Sequence, residues 1–300
     1  MFAPSGEQFE IESGDQRAVV VEVGGGLRAY SAGGRDVLDG YGLDEMCGSG
    51  RAQALMPWPN RIAGGLYEFR GMEQQLQVNE VSTGSAIHGL VRWASWEAAE
   101  RDGDRVVVQH RLHPQPGYPF ALELWSKYSL SGSGLRVATQ ATNVGDRPCP
   151  FGAGFHPYLL PGTRSVDDAL LRLPARSVLE TDASGLPVGR SAVAGTELDF
   201  GQERPLGATR LDHCFGDLER DPDGLARVTL GGPGSGVTLW ADASYRYLQL
   251  YTGDDRPDVS RRSLAVEPMT CPPQAFRSGE DLVVLEPGAS WSGVWGLSPT

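Results

Sequence analysis

Ala121-Leu122-Glu123-Leu124-Trp125-Ser126-Lys127-Tyr128-Ser129-Leu130 alternates along its length. Leu122, Leu124, Tyr128 and Leu130 share one face; Glu123, Lys127 and Ser129 share the other. A period of two is the mark of an extended strand with one buried face. Leu135, Val137 and Ala141 repeat it, as do Val237 and Leu239. Between such runs stand turn signals: Gly24-Gly25-Gly26, Asp102-Gly103-Asp104, Ser131 to Gly134, and Gly231 to Gly236. No long amphipathic helix competes. The best helical candidate, Ala94 to Arg101, is short and reads equally well as a strand. Gly253 to Arg262 and much of Thr181 to Arg210 read as loops. With no internal repeat and no break in composition, residues 1–300 are expected to form one all-β domain, a large antiparallel β-sandwich.

The bulk properties exclude several function classes. The chain has 300 residues, 40% of them hydrophobic and 21% charged, which suits a soluble protein with a sizeable core. Its 40 Gly and 21 Pro are scattered, as expected of many turns and not of a disordered tract. A net charge of −12 argues against nucleic acid or an anionic membrane as partner, because phosphate binding needs a basic patch. No run approaches the ~18 apolar residues of a membrane span. Met1 to Glu10 has neither the basic start nor the apolar stretch of a secretory leader. Cys47, Cys149, Cys214 and Cys271 lack metal-ligand spacing and are too sparse for a disulfide scaffold. The expectation is a cytoplasmic monomer or homodimer with reduced thiols and no metal or cofactor.

Five histidines offer proton-transfer chemistry near neutral pH. His110 and His113 flank the end of a strand-like run and read as surface or structural residues. His88 lies in Ala86-Ile87-His88-Gly89-Leu90. His156 lies in Phe151-Gly152-Ala153-Gly154-Phe155-His156-Pro157-Tyr158, where glycines and a proline fix the backbone around an imidazole. Either one fits a satisfied core histidine or a catalyst. Glu267 closes the apolar run Leu264-Ala265-Val266; partial burial there would raise its pKa and make it a better base, while a buried ion pair with an arginine is the plainer alternative. In Met56-Pro57-Trp58-Pro59-Asn60-Arg61-Ile62, Asn60 and Arg61 bring hydrogen-bonding groups beside Trp58, a combination suited to a pyranose; a rigid core turn is the other reading. Phosphate-loop, zinc and serine-hydrolase motifs are missing.

Taken in order, these segments resemble the aldose 1-epimerase (galactose mutarotase) family. The resemblance rests on Pro57-Trp58-Pro59-Asn60-Arg61-Ile62, Ile87-His88-Gly89, Gly154-Phe155-His156-Pro157-Tyr158, Leu211-Asp212-His213-Cys214-Phe215, and Ala265-Val266-Glu267-Pro268-Met269-Thr270 with Pro273-Gln274-Ala275-Phe276. Each is weak alone; five in one order over about residues 55–276 are specific. The resemblance implies a large β-sandwich of the galactose mutarotase type. It implies His156 as general acid, Glu267 as general base, and Arg61, His88 and Asp212 as holders of sugar hydroxyls and ring oxygen. Asn60 supports Arg61 or touches the sugar. The activity implied is interconversion of the α and β anomers of a free aldohexose, without cofactor.

Two features bear on the sugar. A branch acting on hexose 6-phosphates would need several basic groups, whereas Arg61 stands alone in its cluster. Ile87-His88-Gly89-Leu90-Val91-Arg92-Trp93 looks like a bacterial subgroup that includes mutarotases of sulfonated glucose (sulfoquinovose), with Arg92 as the candidate cation. A neutral aldohexose is the expected substrate and a sulfonated one the alternative. A carbohydrate-binding protein without turnover would have no use for both an acid and a base. A glycoside hydrolase commonly pairs two carboxylates, and here the pair is one carboxylate and one imidazole.

Overall fold

The computed structural model describes residues 3–300, and antiparallel strands dominate it. The decisive stretch forms the strand Leu122–Ser131, paired residue by residue with Gly134–Asn143. Leu124 faces Ala141, Tyr128 faces Val137 and Leu130 faces Leu135, all buried; Lys127 faces Ala138 and Ser129 faces Arg136 on the outer side. Position 126 is a serine on the buried face. Its hydroxyl lies 3.1 Å from that of Thr139 directly opposite, so each meets the other's hydrogen-bonding need.

These strands sit near the middle of a nine-stranded sheet. Its order is Glu97–Asp102, Arg105–Leu112, Leu122–Ser131, Gly134–Asn143, Ser290–Pro299, Ser235–Ala241, Ala226–Gly232, Leu170–Arg172, Arg204–Pro205. A second, eight-stranded sheet runs Pro187–Ala192, Ala175–Thr181, Asp212–Leu218, Tyr247–Tyr251, Leu264–Met269, Gly154–Phe155, Ala54–Leu55, with Tyr158–Leu159 also paired to Leu264–Met269. Leu124, Tyr128, Val137, Leu239, Trp295 and Leu297 from the first sheet and Phe155, Phe215, Leu248, Leu250, Leu264 and Val266 from the second belong to one buried cluster. That shared core is the sandwich. A four-stranded sheet, Gln8–Ser13 to Arg35–Asp36, packs on the strand Leu122–Ser131 and adds Ile11, Val20 and Tyr30 to the same core.

Of the two readings open for Ala94 to Arg101, the strand holds: Glu97–Asp102 is an edge strand. Almost every one of its side chains is exposed, so it carries no alternation of buried and polar residues that could reveal it. Within Thr181 to Arg210, read mostly as loop, Pro187–Ala192 is likewise an exposed edge strand and Arg204–Pro205 a short one. Edge strands take their order from backbone pairing and bury little, which leaves hydrophobic periodicity silent. Gly253 to Arg262 is a loop of turns, as read. The only α-helix among the described residues is the single turn Ala275–Ser278. Among the described residues no helix is long and apolar enough to cross a membrane. All four cysteines are free and buried.

Candidate active site

Register decides what the eight-stranded sheet presents on its outer face. Residues directly opposite one another on neighbouring antiparallel strands share a face. Asp212 pairs with Tyr251, Tyr251 with Ala265, and Ala265 with Tyr158. One step along, Cys214 pairs with Gln249 and Gln249 with Glu267. One face therefore carries Asp212, Gln249, Tyr251, Glu267 and Tyr158, while Phe215, Leu248, Leu250 and Val266 point into the core. His156 follows the short strand Gly154–Phe155 beside this row.

A second element supplies the opposite wall. Arg61–Ala63 pairs with Ser85–Ile87, Arg61 opposite Ile87, so that Asn60-Arg61 and His88 emerge side by side. Asn60 and His88 both adopt left-handed backbone (φ 55° and 63°), uncommon for residues with a side chain and a conformation that collects at functional sites. The backbone N–H of Asn60 donates to Nδ1 of His88 at 3.2 Å, and the N–H of His88 donates to the Asn60 carbonyl. Gly89, at φ 71°, lets the ribbon lie against Met56: a Cβ there would stand 2.0 Å from the Met56 carbonyl oxygen. Gly89→Ala combines left-handed strain, ~1–2 kcal/mol, with overpacking, ~1–3 kcal/mol. It should lower the free energy of urea unfolding by roughly 2–5 kcal/mol, and an unchanged midpoint would contradict the close approach.

Between the two walls lies a cavity of about 340 Å³. Asn60, Arg61, His88, His156, Asp212 and Glu267 all line it. Nε2 of His156 stands 3.3 Å from Oε1 of Glu267, with side-chain exposures of 8% and 2%. The imidazole of His156 stacks on Tyr158 (centroids 5.0 Å apart, planes 16° from parallel) and stands edge-on to His88 at 5.4 Å. Gly50 abuts the His156 ring, where a Cβ would lie 3.3 Å from Cδ2. Gln249 donates to Asp212 at 2.7 Å. Arg61 is gripped by Glu80 through two bonds of 2.6 and 3.0 Å, and its backbone N–H donates to Asn60 Oδ1.

Burial governs the ionisation of this group. It pushes the Glu267 carboxyl well above the usual carboxylate range; the nearby Asp212 carboxylate adds to this and Arg61 opposes it. Burial also raises Asp212, against Arg61 and Gln249. The same loss of hydration lowers His156 to about 3, helped by the Arg92 guanidinium, and holds His88 well below its ordinary value. Burial thus favours the neutral form of each group, imidazole for His156 and carboxyl for Glu267, and places the proton of the pair on the carboxyl side.

His88, His156 and Glu267 also bring ligand atoms within 4.8 Å of one another, a set that invites comparison with a metal site. The Asn60 N–H on Nδ1 of His88 argues for the other use. In a neutral imidazole whose Nδ1 accepts, Nε2 carries the proton and is a donor, not a metal ligand. Such a donor suits a sugar hydroxyl.

Trp58 corrects the sequence reading. It is 2% exposed, packed on Phe276 at 5.6 Å, and absent from the cavity wall. Burial of the largest apolar side chain in the core outweighs any role as a platform for sugar. Several wall residues escaped sequence reasoning: Glu80, Tyr158, Gln249, Tyr251, Asp255 and Arg256. Gln249 could have been found, as the polar residue on the same face as two tyrosines in Tyr247-Leu248-Gln249-Leu250-Tyr251. The loop carrying Asp255 and Arg256 reaches the site and is tied to the facing loop through Asp258, which accepts from Ser49 and pairs with Arg51 at 3.0 Å.

The comparisons with known proteins agree with this architecture. The family model described as aldose 1-epimerase matches residues 7–298. The uncharacterized protein YihR of Escherichia coli K12 is 37% identical over 285 residues, covering 95% of this chain and 90% of YihR. The galactose mutarotase of Sus scrofa is 28% identical over 211 residues, 65% of this chain and 60% of that protein. Among solved structures, the GalM/aldose epimerase homologue from C. elegans superposes with a TM-score of 0.88 at 19% identity, covering 98% of each chain. Galactose 1-epimerase from Lactobacillus acidophilus NCFM gives 0.80 at 20% identity, over 97% of this chain and 93% of that one. At such identities the structural likeness concerns the fold; the match along nearly the whole sequence carries the conclusion that this chain belongs to the aldose 1-epimerase family.

Proposed function

We propose that the protein is a mutarotase that interconverts the α and β anomers of a free hexose, with His156 and Glu267 exchanging the protons. The observation that carries this reading is the 3.3 Å approach of His156 Nε2 to Glu267 Oε1 inside the buried end of the cavity. A hemiacetal has its hydroxyl and its ring oxygen on the same carbon, so an acid and a base that open the ring must converge on one point. Glu267 takes the proton of the anomeric hydroxyl as His156 gives one to the ring oxygen. The bond between C1 and the ring oxygen breaks and leaves the open-chain aldehyde. Rotation about C1–C2 and the reverse transfers close the ring on the other face. Atoms and protons balance, and each positioned transfer contributes ~10²–10⁴-fold. Arg61, His88, Asn60 and Asp212 present donors and acceptors to the remaining oxygens, and Glu80 and Gln249 hold two of those groups in place. The test is NMR or polarimetry on freshly dissolved α-glucose and α-galactose. Catalysed exchange supports the reading; tight sugar binding with no acceleration would replace it by a carbohydrate-binding role.

One observation favours an anionic sugar over the neutral one expected from sequence. Arg92 lines the cavity partly buried, yet among the described residues its guanidinium makes no direct ion pair and no hydrogen bond, the Glu80 carboxylate acting on it only at longer range. An unpaired cation withdrawn from water is costly and is stabilised by an anion that arrives with the ligand. A hexose with a sulfonate at its terminal carbon supplies one. A charge-assisted bond is worth ~1.5–3 kcal/mol, or about 10–100-fold. Arg92→Leu should therefore lower kcat/KM for sulfoquinovose by about that factor and change glucose by no more than about twofold. Equal losses on both sugars would remove the anionic reading.

A further inference from the structure

We propose that Asp258 and Val259, neighbours in the loop 253–262, are positioning residues that together clamp the His156 imidazole; the inference rests on the mutarotase reading above. Each acts by its own route. Val259 is 1% exposed and packs with Tyr158 and Ala265, with Tyr251 against them. Tyr158 in turn lies almost parallel to the His156 ring. The Asp258 carboxylate accepts from the Ser49 hydroxyl at 3.0 Å and pairs with Arg51 at 3.0 Å, and its carbonyl accepts from Nη2 of Arg51 at 2.9 Å. Between Ser49 and Arg51 stands Gly50, which abuts the imidazole at Cδ2. The same loop grips the backbone of His156. The Ala52 N–H donates to the His156 carbonyl at 2.8 Å, and the His156 N–H donates to the Gln53 carbonyl at 3.3 Å.

A clamp is needed because Nδ1 of His156 is buried and bonds to no group among the described residues. A catalytic imidazole is commonly oriented by a hydrogen bond at its second nitrogen; here packing must do it. Loop 48–53 cannot do so unaided. Ser49, Gly50 and Ala52 all have left-handed backbone (φ 52°, 72° and 49°), which residues with side chains keep only where their surroundings impose it. Arg51, itself buried, has Asp258 as its one carboxylate partner among the described residues. The ends of loop 253–262, by contrast, are fixed from elsewhere. The Arg261 N–H donates to the Thr252 carbonyl, the Arg261 guanidinium pairs with Asp167 and Asp254, and Arg262 pairs with Asp39. Its anchored tip therefore presses one apolar and one acidic side chain towards the same ring. Proton transfer to a ring oxygen is sensitive to such support, since a misplacement of about 1 Å costs up to ~10²-fold.

The experiment compares wild type with Asp258→Ala, Val259→Ala, Val259→Thr and Val228→Ala. It reads anomer exchange of glucose and sulfoquinovose, urea unfolding, and the NMR signals of the His156 ring in nitrogen-labelled protein. Val228, buried in the strand Ala226–Gly232 of the nine-stranded sheet, loses the same two methyl groups as Val259 and controls for lost stability. Asp258→Ala and Val259→Ala should each lower kcat roughly tenfold, leave KM within about threefold, and shift or broaden the His156 signals. Val259→Thr keeps the shape of the side chain, so kcat should stay within about threefold of wild type although the buried hydroxyl lowers the urea midpoint. Val228→Ala should lower that midpoint with kcat within about twofold and the His156 signals unmoved. A loss confined to KM would assign the loop to sugar contact through Asp255 and Arg256 and overturn the clamp. Unmoved His156 signals in both loop variants would overturn it too, as would an equal loss of kcat in Val228→Ala. Should Asp258→Ala not fold, Val259→Ala and Val259→Thr decide between the same outcomes. Absence of exchange in wild type overturns the mutarotase reading instead; the His156 signals then decide the clamp alone, supporting it if the loop variants move them and Val228→Ala does not, and overturning it otherwise.

Discussion

Glu267→Gln is expected to lower kcat for anomer exchange by about a thousandfold, within the ~10²–10⁴ range for a positioned proton acceptor, while KM moves by no more than a few-fold. The amide keeps the size and one oxygen of the carboxyl but cannot take the anomeric proton. The same substitution should make the protein more stable in alkali. Folded Glu267 keeps its proton to a pH well above 4.5, whereas the unfolded chain releases it near 4.5. Between those points the folded state binds more protons, so its stability falls as pH rises. Glutamine removes that dependence. Thermal or urea unfolding at pH 8 should show the variant more stable than the wild type, with the difference vanishing below about pH 4.5. A thousandfold loss together with gained stability is the pattern of a residue kept for chemistry at the expense of the fold. Loss of both activity and stability would assign Glu267 to the structure instead.

How much of this was readable from residues varies with the kind of information each segment carries. Leu122–Ser131 announced itself because one face is buried along its whole length, so alternation and burial coincide. Glu97–Asp102 and Pro187–Ala192 did not, since an exposed edge strand has no buried face to write into the sequence. His156 and Glu267 stood out as polar residues inside apolar or glycine-rich runs. Their partnership did not, because 3.3 Å in space is 111 residues in sequence, and only the register of the strands brings the two together. Asn60, Arg61, His88 and Asp212 line the same cavity. Trp58 shows the opposite failure. An aromatic between prolines reads the same whether it faces a ligand or the core, and here the core holds it while Trp93, quoted only as a neighbour of Arg92, stands at the mouth. Glu80 was invisible because nothing in its turn announces a partner nineteen residues back.

The pH dependence of exchange should distinguish the two members of the pair. With His156 lowered to about 3 and Glu267 raised well above the ordinary carboxylate value, a single proton held by the pair rests on the carboxyl. Catalysis needs that proton on the imidazole and the carboxylate free. These are two positions of one proton, so both arrangements appear and disappear together as pH changes. On the acid side the pair takes a second proton only well below the ordinary imidazole value of 6.5, because the depressed imidazole must be charged. On the alkaline side the pair loses its one proton only well above the ordinary carboxylate value. An exposed pair with ordinary values would give a narrow maximum between about 4.5 and 6.5. The buried pair should keep its activity on the acid side, with kcat/KM changing less than about threefold between about pH 5.5 and 4.5 because His156 becomes charged only near pH 3, and should lose it in alkali as the pair gives up its proton. His156→Asn should lower kcat/KM by ~10²–10⁴-fold and invert the alkaline side. With no acid left to deprotonate, the residual rate depends only on Glu267 becoming a carboxylate, so it rises with pH where the wild type falls. Retention of the wild-type alkaline decline in that variant would place the acid on another residue, and His88, edge-on to His156 and a proton donor through Nε2, is the group to which the same profile would then be applied.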